Sequence, residues 1–316
     1  MAYVTPSTAL TGDLIAAADW NKNTVDNPIA LKALIDAIGT TSLNRCDGRL
    51  TLTASTPVTT ADVTAATTLY WTPYAGNQVA LYDGSAWAMY TFTERSIAVP
   101  ATTSQMYDVF VYNNAGTITL ELTAWTNDTT RATALVFQNG VYVKTGATTR
   151  RYLGSFRTTT VSGQTEDSVT KRFVFNYYNR VDARMYYTPG GTWTYTLTAI
   201  RQANGSTSSQ LAIVVGVAED SVDVAIAVGV SNSAGGANLG VLIGYDSTTT
   251  VAAGAVGGHN LGAASVTLQV DTHLRHQPAV GYHFYAWLET STNTGTTTWN
   301  GGGSGSTGGI IATVRR

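Results

Sequence analysis

From Arg49 onward the apolar residues recur at every second position and hardly anywhere at helical spacing. The clearest case is 117–123, where Ile118, Leu120 and Leu122 alternate with Thr117, Thr119, Glu121 and Thr123. A period of two sends successive side chains to opposite faces of a pleated strand, so this segment predicts one face on a core and one in water. Turn signals join such strands into pairs. Asp83-Gly84 separates Val79 and Leu81 from Trp87 and Met89, and Asn113-Asn114-Ala115-Gly116 precedes Ile118. Asn139-Gly140 separates Val136-Phe137 from Val141-Tyr142-Val143. Asn-Gly and Asp-Gly accept the left-handed dihedrals of a two-residue hairpin at little steric cost. Hairpins at this spacing, with no helical pattern between them, imply a sandwich or a small barrel.

Residues 12–39 are the exception. Leu14, Ile15, Ala18 and Trp20 fit one face of a short helix over 14–25. Pro28 ends it, because a proline pushes the residue before it out of helical geometry. Asn27 then reads as an N-cap, Pro28 as the first helical residue and Gly39 as the stop of a second helix. Its apolar stripe is Leu31, Leu34, Ile35 and Ile38. A helix this short is marginal alone in water, so the stripe needs a partner: the β-rich body, a copy of itself or another protein. Trp20, Leu31, Leu34, Ile35 and Ile38 are therefore the candidate anchoring or oligomer-interface residues.

With 316 residues the chain can hold two or three cored domains. A linker over 40–48 and the Pro189-Gly190-Gly191 break suggest three parts. These are an N-terminal arm and helical anchor over 1–48, a β-rich middle domain over 49–189 and a C-terminal β-sandwich over 190–316. The last has the size and rhythm of a jelly-roll-like fold, with strands expected near 192–202, 210–218, 221–231, 239–245, 264–271, 281–290 and 309–314. The fold class is thus mainly β, with two antiparallel β-domains behind a short helical anchor. No fixed-period repeat is visible, which argues against a propeller or β-helix.

Charged residues make up 12%, about half the usual share, and the net charge is −2. A nucleic-acid binder would show a basic stripe, so that class is excluded; Arg150-Arg151, Lys171-Arg172 and Arg315-Arg316 read as solvated pairs. Cys46 is the single cysteine, which leaves no intrachain disulfide and no cysteine metal cage. The first ten residues lack the basic and apolar segments of a secretory signal. Glu219, Asp220 and Asp223 interrupt the apolar stretch 211–230, so no membrane insertion is expected.

Catalytic signatures are weak. Gly303-Ser304-Gly305-Ser306-Thr307-Gly308 spells G-x-G-x-x-G, but a strand pattern follows where a nucleotide site requires a helix. His273, His276 and His283 fall near Asp271, with Asp271 and His273 on one strand face and His276 in a loop. Three or four converging ligands would be needed, so no metal is expected. Glu94, Glu121, Glu166, Asp167, Glu219, Asp220 and Glu289 are the acids available for glycosidase chemistry, which needs two carboxyls across a cleft. Glu166-Asp167 and Glu219-Asp220 read as exposed turns. The aromatic run Phe173 to Tyr178 with Tyr186-Tyr187 reads as core or inter-domain seam, or else as a sugar-stacking platform. Tyr177, Tyr178, Tyr186, Tyr187, Tyr282, Trp287 and Trp299 are the candidate glycan or interface aromatics.

Three stretches together resemble bacteriophage virion structural proteins of the tail-fibre, head-fibre and decoration type. They are Ala18-Asp19-Trp20-Asn21 through Asp26-Asn27-Pro28-Ile29-Ala30-Leu31; Arg150-Arg151-Tyr152-Leu153-Gly154-Ser155-Phe156-Arg157 with Phe175-Asn176-Tyr177-Tyr178-Asn179-Arg180; and Gly281-Tyr282-His283-Phe284-Tyr285-Ala286-Trp287-Leu288-Glu289. The resemblance implies a homo-oligomer, often a trimer, located on the virion after assembly in the host cytoplasm. Its N-terminal segment would attach to a capsid or tail protein, and its β-domains would face outward toward a host-surface glycan. It brings neither catalytic residues nor a cofactor, and no long repetitive shaft is present. A capsid cement protein that bridges capsomers, and a surface-glycan depolymerase, are the alternatives.

Overall fold

A computed structural model of the chain describes residues 27–32, 43–303 and 306–316. The described part is mainly β and its sheets are dominated by antiparallel pairs, as the alternation requires. The expected hairpins form at Gln78–Tyr82 with Trp87–Thr91, Met106–Asn114 with Thr117–Ala124, and Leu135–Gln138 with Val141–Lys144. In the last, Asn139 and Gly140 take φ of 53° and 85°, the left-handed pair that this turn demands.

Two packed units result. The first sets a sheet of Gly48–Thr51, Thr68–Pro73 and Arg95–Ala98 against one built around Met106–Asn114 and Ala147–Arg157. Its core holds Leu50, Leu69, Trp71, Leu81, Phe92, Val109, Val111 and Phe156, with Trp71 stacked on Phe92 at 3.8 Å. The second sets a sheet centred on Gly281–Thr290 against one running Asp182–Tyr187, Gly309–Arg315, Val222–Asn232, Leu268–His276 and Val256–Gly257. Met185, Ile213, Ile226, Val241, Trp287, Trp299 and Ile310 lie between them.

The sheets do not divide at Pro189-Gly190-Gly191. Asp182–Tyr187 pairs along its whole length with Gly309–Arg315. Lys171–Arg172 pairs in parallel with Gln210–Val215, and Val63–Ala66 with Thr165–Asp167 extends that same sheet. Pro189 and Gly190 fall between two strands, and hydrogen bonding across them is indifferent to a local Pro-Gly signal. A third cluster, Met106, Trp125, Phe173, Phe175, Ala212 and Val214, joins the two units. Phe173 and Phe175 thus belong to a seam, one of the two roles expected for the aromatic run.

Several local expectations change in the fold. Gly48–Thr51 is buried on both faces, because Arg49 donates to the Pro57 and Asn179 carbonyls and Thr51 to the Thr56 carbonyl, while the Asn176 side chain pairs the strand edge at the Leu50 N–H (2.6 Å) and carbonyl (3.2 Å). Glu166 and Asp167 are buried in the strand Thr165–Asp167, not exposed in a turn. The basic pairs are not simply solvated: Arg151 and Arg316 are buried. Adjacent strand residues face opposite ways, so a doublet there sends one cation inward. The expected strand over 192–202 is instead Gly191–Tyr195 and Arg201–Gln202, and that near 264–271 lies at Leu268–His276. His276 therefore closes a strand rather than sitting in a loop.

At the N-terminal side, 27–32 is helical. Asn27 and Ala30 are buried, whereas Ile29 and Leu31 are 49% and 53% exposed. Leu31 is thus the open member of the expected stripe; Trp20, Leu34, Ile35 and Ile38 lie outside the described residues.

Candidate functional site

Among the described residues, the Asn139-Gly140 turn positions the most accessible aromatic group. Phe137 and Tyr142 sit two residues either side of it and are therefore cross-strand partners. Their rings stack at 4.0 Å and 25°, and Phe137 is 58% exposed. Tyr142 meets Tyr177 edge-on at 5.2 Å, and Tyr177 meets Tyr178 at 4.8 Å. Arg151 lies over the Tyr178 ring at 4.6 Å and donates to the Leu43, Asn44 and Ala80 carbonyls. A ladder of rings therefore descends from water to a fully bonded buried cation.

Beside the ladder, an open groove of about 410 Å³ separates the hairpin from the second unit, with Thr129, Thr130, Arg131, Tyr142, Gly216 and Val217 in its lining. Arg131 is fixed from several sides. It donates to Asp108 at 2.8 and 3.2 Å, to Tyr152 at 3.3 Å and to the Gly216 carbonyl at 2.6 Å, while lying 4.4 Å over Trp125. Its neighbour Asp128 takes Arg157 at 2.9 and 3.0 Å, and the Asp128 carbonyl accepts the Tyr282 N–H. The loop carrying both residues therefore clasps the two units together. The groove combines the Tyr142 ring, the apolar Ala134, Leu135, Val217 and Val280, two threonines and the pre-oriented Arg131, which suits a neutral polar ligand with apolar faces.

The other candidate aromatics disperse. Tyr282 is half-buried at the seam, with Arg157 4.0 Å over its ring. Tyr187 packs against the second core, and Tyr186 stands 39% exposed on the outer face of that unit. Trp287 and Trp299 are wholly buried, so neither can stack on a sugar in this arrangement. Trp287 lies in a strand flanked on both edges by neighbours, and its ring meets Trp193 at 5.7 Å inside the sandwich. Pattern reading treated these tryptophans as display residues because a buried and an exposed aromatic look alike in a strand.

The acids are engaged. Glu121 holds Lys144 and Arg150, Glu166 holds Lys171, and Arg180 spans Glu219 and Asp220. Asp167 accepts from Arg172 and Arg316. Glu94 accepts from the Ser55 N–H and the Thr72 hydroxyl, both at 2.6 Å. Glu289 accepts from Trp193, Arg201 and the Asn204 N–H, and burial pushes its carboxyl up. His273 pairs with Asp271 at 3.2 Å on one strand face, as expected, but His283 turns away to Asp246 at 2.7 Å. No group of three or more metal-ligating side chains converges among the described residues.

No family model and no curated protein matches the sequence. Among solved structures, the chain is similar to one of infectious bursal disease virus, Gx strain. The identity is 11% over 82% of this chain and 72% of that one, with a TM-score of 0.26. It is also similar to a tryptic core variant of Bacillus thuringiensis Cry1Da at 9% identity, over 79% of this chain and 48% of that one, with a TM-score of 0.19. Scores this low establish neither a shared topology nor a shared activity.

Proposed function

We propose that the protein is a bacteriophage virion structural protein, a compact fibre, spike or decoration component without enzymatic activity. Residues 1–48 attach it to a capsid or tail protein, copies associate as a homotrimer, and the β-units face outward. The groove beside Phe137 and Tyr142 takes a neutral host-surface glycan. One observation carries the glycan part: a stacked aromatic pair, more than half open at Phe137, whose other ring, Tyr142, lines a groove that also holds Thr129 and Thr130. Sugar rings offer apolar faces to such a wall and hydroxyls to the threonines. Several copies per particle would raise weak single-site binding by roughly 10²–10⁴. Few charges suit this, since strong charge promotes nonspecific adhesion.

The test is a neutral-glycan array probed with the full chain coupled to beads, beside Phe137→Ala and Tyr142→Ala. Binding by the parent and at least tenfold loss in both variants is the expected result. Equal binding by all three proteins would remove the groove as the site. Absence of binding by the parent would favour the cement reading, in which the β-units bridge capsomers. Release of soluble sugar from a bound glycan would favour the depolymerase.

A further inference from the structure

A sandwich normally turns its polar residues outward, and the sheet opposite Gly281–Thr290 does so only in part. Register places Tyr186, Ile311, Ala225, His273 and Val256 in one row across five strands on the outer face. Tyr186, Ile311 and Val256 are 39%, 48% and 75% exposed, which gives this row three open apolar side chains in register. A hollow of about 270 Å³ lies where Ala225, the smallest member, stands between Ile311 and His273.

Both margins of the row carry both signs, and the two charges without a permanent partner stand at opposite margins. Arg184, on the strand Asp182–Tyr187, lies 4.7 Å over the Tyr186 ring and has no carboxylate within ion-pair reach among the described residues. On the far side of the sheet, Asp271 is 61% exposed and is held only by the exposed imidazole of His273. One margin thus offers an unpaired guanidinium and the other a carboxylate without a permanent cation. Asp223 with Arg275, and Asp182 with Arg315, complete an equal tally of both signs on the face.

We propose that this face is where copies of the chain meet, head to tail. The Arg184 margin of one copy lies against the Asp271 margin of the next, and Tyr186 or Ile311 fills the hollow over Ala225. The occupant is a second copy rather than an unrelated protein because one margin of the face is complementary in charge to the other, so each copy offers what the next one needs. Charges of opposite sign left without a permanent partner at opposite margins suit a rotation that closes a ring, whereas a face of one sign would repel its own copy. This rests on the self-association part of the function proposed above and assigns it to named residues.

The test is light scattering on a sizing column with the full chain, across a dilution series in the micromolar range. Four variants accompany it: Ile311→Asp, Arg184→Asp, Arg184→Asp with Asp271→Arg, and Val161→Asp as a control on an exposed position of the first unit. Circular dichroism confirms that each is folded. The parent and the control should show a multiple of 33.3 kDa. Ile311→Asp and Arg184→Asp should raise the dissociation constant by roughly thirtyfold or more, and the charge exchange should restore association to within about threefold. An oligomer that survives both single changes would overturn this face while leaving self-association intact. A parent that stays at 33.3 kDa would overturn both, and leave the glycan groove to its own array test.

Discussion

The clasp between the two units offers a quantitative test of what holds this fold together. Asp108 is 2% exposed at its side chain and Arg131 is 14% exposed, with two hydrogen bonds joining them. The Ser155 hydroxyl donates to Asp108 at 2.7 Å, and Arg131 reaches across to the Gly216 carbonyl. Replacing Asp108 by Leu strands a guanidinium with no carboxylate; replacing Arg131 by Met strands a carboxylate. Each should cost about 3–5 kcal/mol, because breaking a buried pair leaves an uncompensated charge in a medium that solvates it poorly. The double change removes both charges and leaves mainly the Gly216 carbonyl unsatisfied, for about 1–3 kcal/mol. The double variant should therefore be more stable than either single one, with a coupling energy of several kcal/mol. Equilibrium urea unfolding of the four proteins, followed by tryptophan fluorescence and far-ultraviolet circular dichroism, measures the cycle. Single changes costing under about 1 kcal/mol, or a double cost equal to the sum of the two, would refute the account. In the first case the pair would be solvated; in the second it would not act as a pair.

Two further outcomes follow from local geometry. Gly154 lies at a break in register between Ala147–Arg157 and Met106–Asn114, and a Cβ there would press on the Phe175 carbonyl and approach Leu50 Cδ1 to 2.9 Å. Gly154→Ala should cost about 1–3 kcal/mol, read as a lower urea midpoint; an unchanged midpoint would show that the strand shifts freely. Cys46 is buried, and burial pushes its thiol up to about 11. At pH 8 the native thiol should react with a disulfide reagent roughly two hundredfold more slowly than an ordinary cysteine, from thiolate fraction alone. Unfolding should restore the rate; rapid labelling of folded protein would contradict the burial.

The two-residue alternation, Asn139-Gly140 and Asp83-Gly84 were enough to foresee strands, hairpins and a mainly β fold, since pleat period and turn dihedrals are properties of a few adjacent residues. The Phe137–Tyr142 pair was also within reach. A two-residue hairpin makes positions flanking the turn cross-strand neighbours, although aromatics are denser at 173–187. What local pattern could not show is which strand is covered twice. Arg49, Arg151 and Asp167 look like surface residues in sequence, and Trp287 looks like a display residue. Their burial depends in part on partners far along the chain, such as Asn179 for Arg49 and Arg316 for Asp167.

The sequence by itself therefore determined the type of element, the sites of the tight turns and the low charge of the chain. Tertiary structure alone decided that strands on both sides of Pro189-Gly190-Gly191 share sheets, that the aromatic run is split between a seam at Phe173 and Phe175, a ring ladder and the second unit, and that a groove opens beside Tyr142. The physical reason is range. Propensity and turn chemistry act over two to four residues, whereas burial and ion pairing are set by strands brought together from distant parts of the chain.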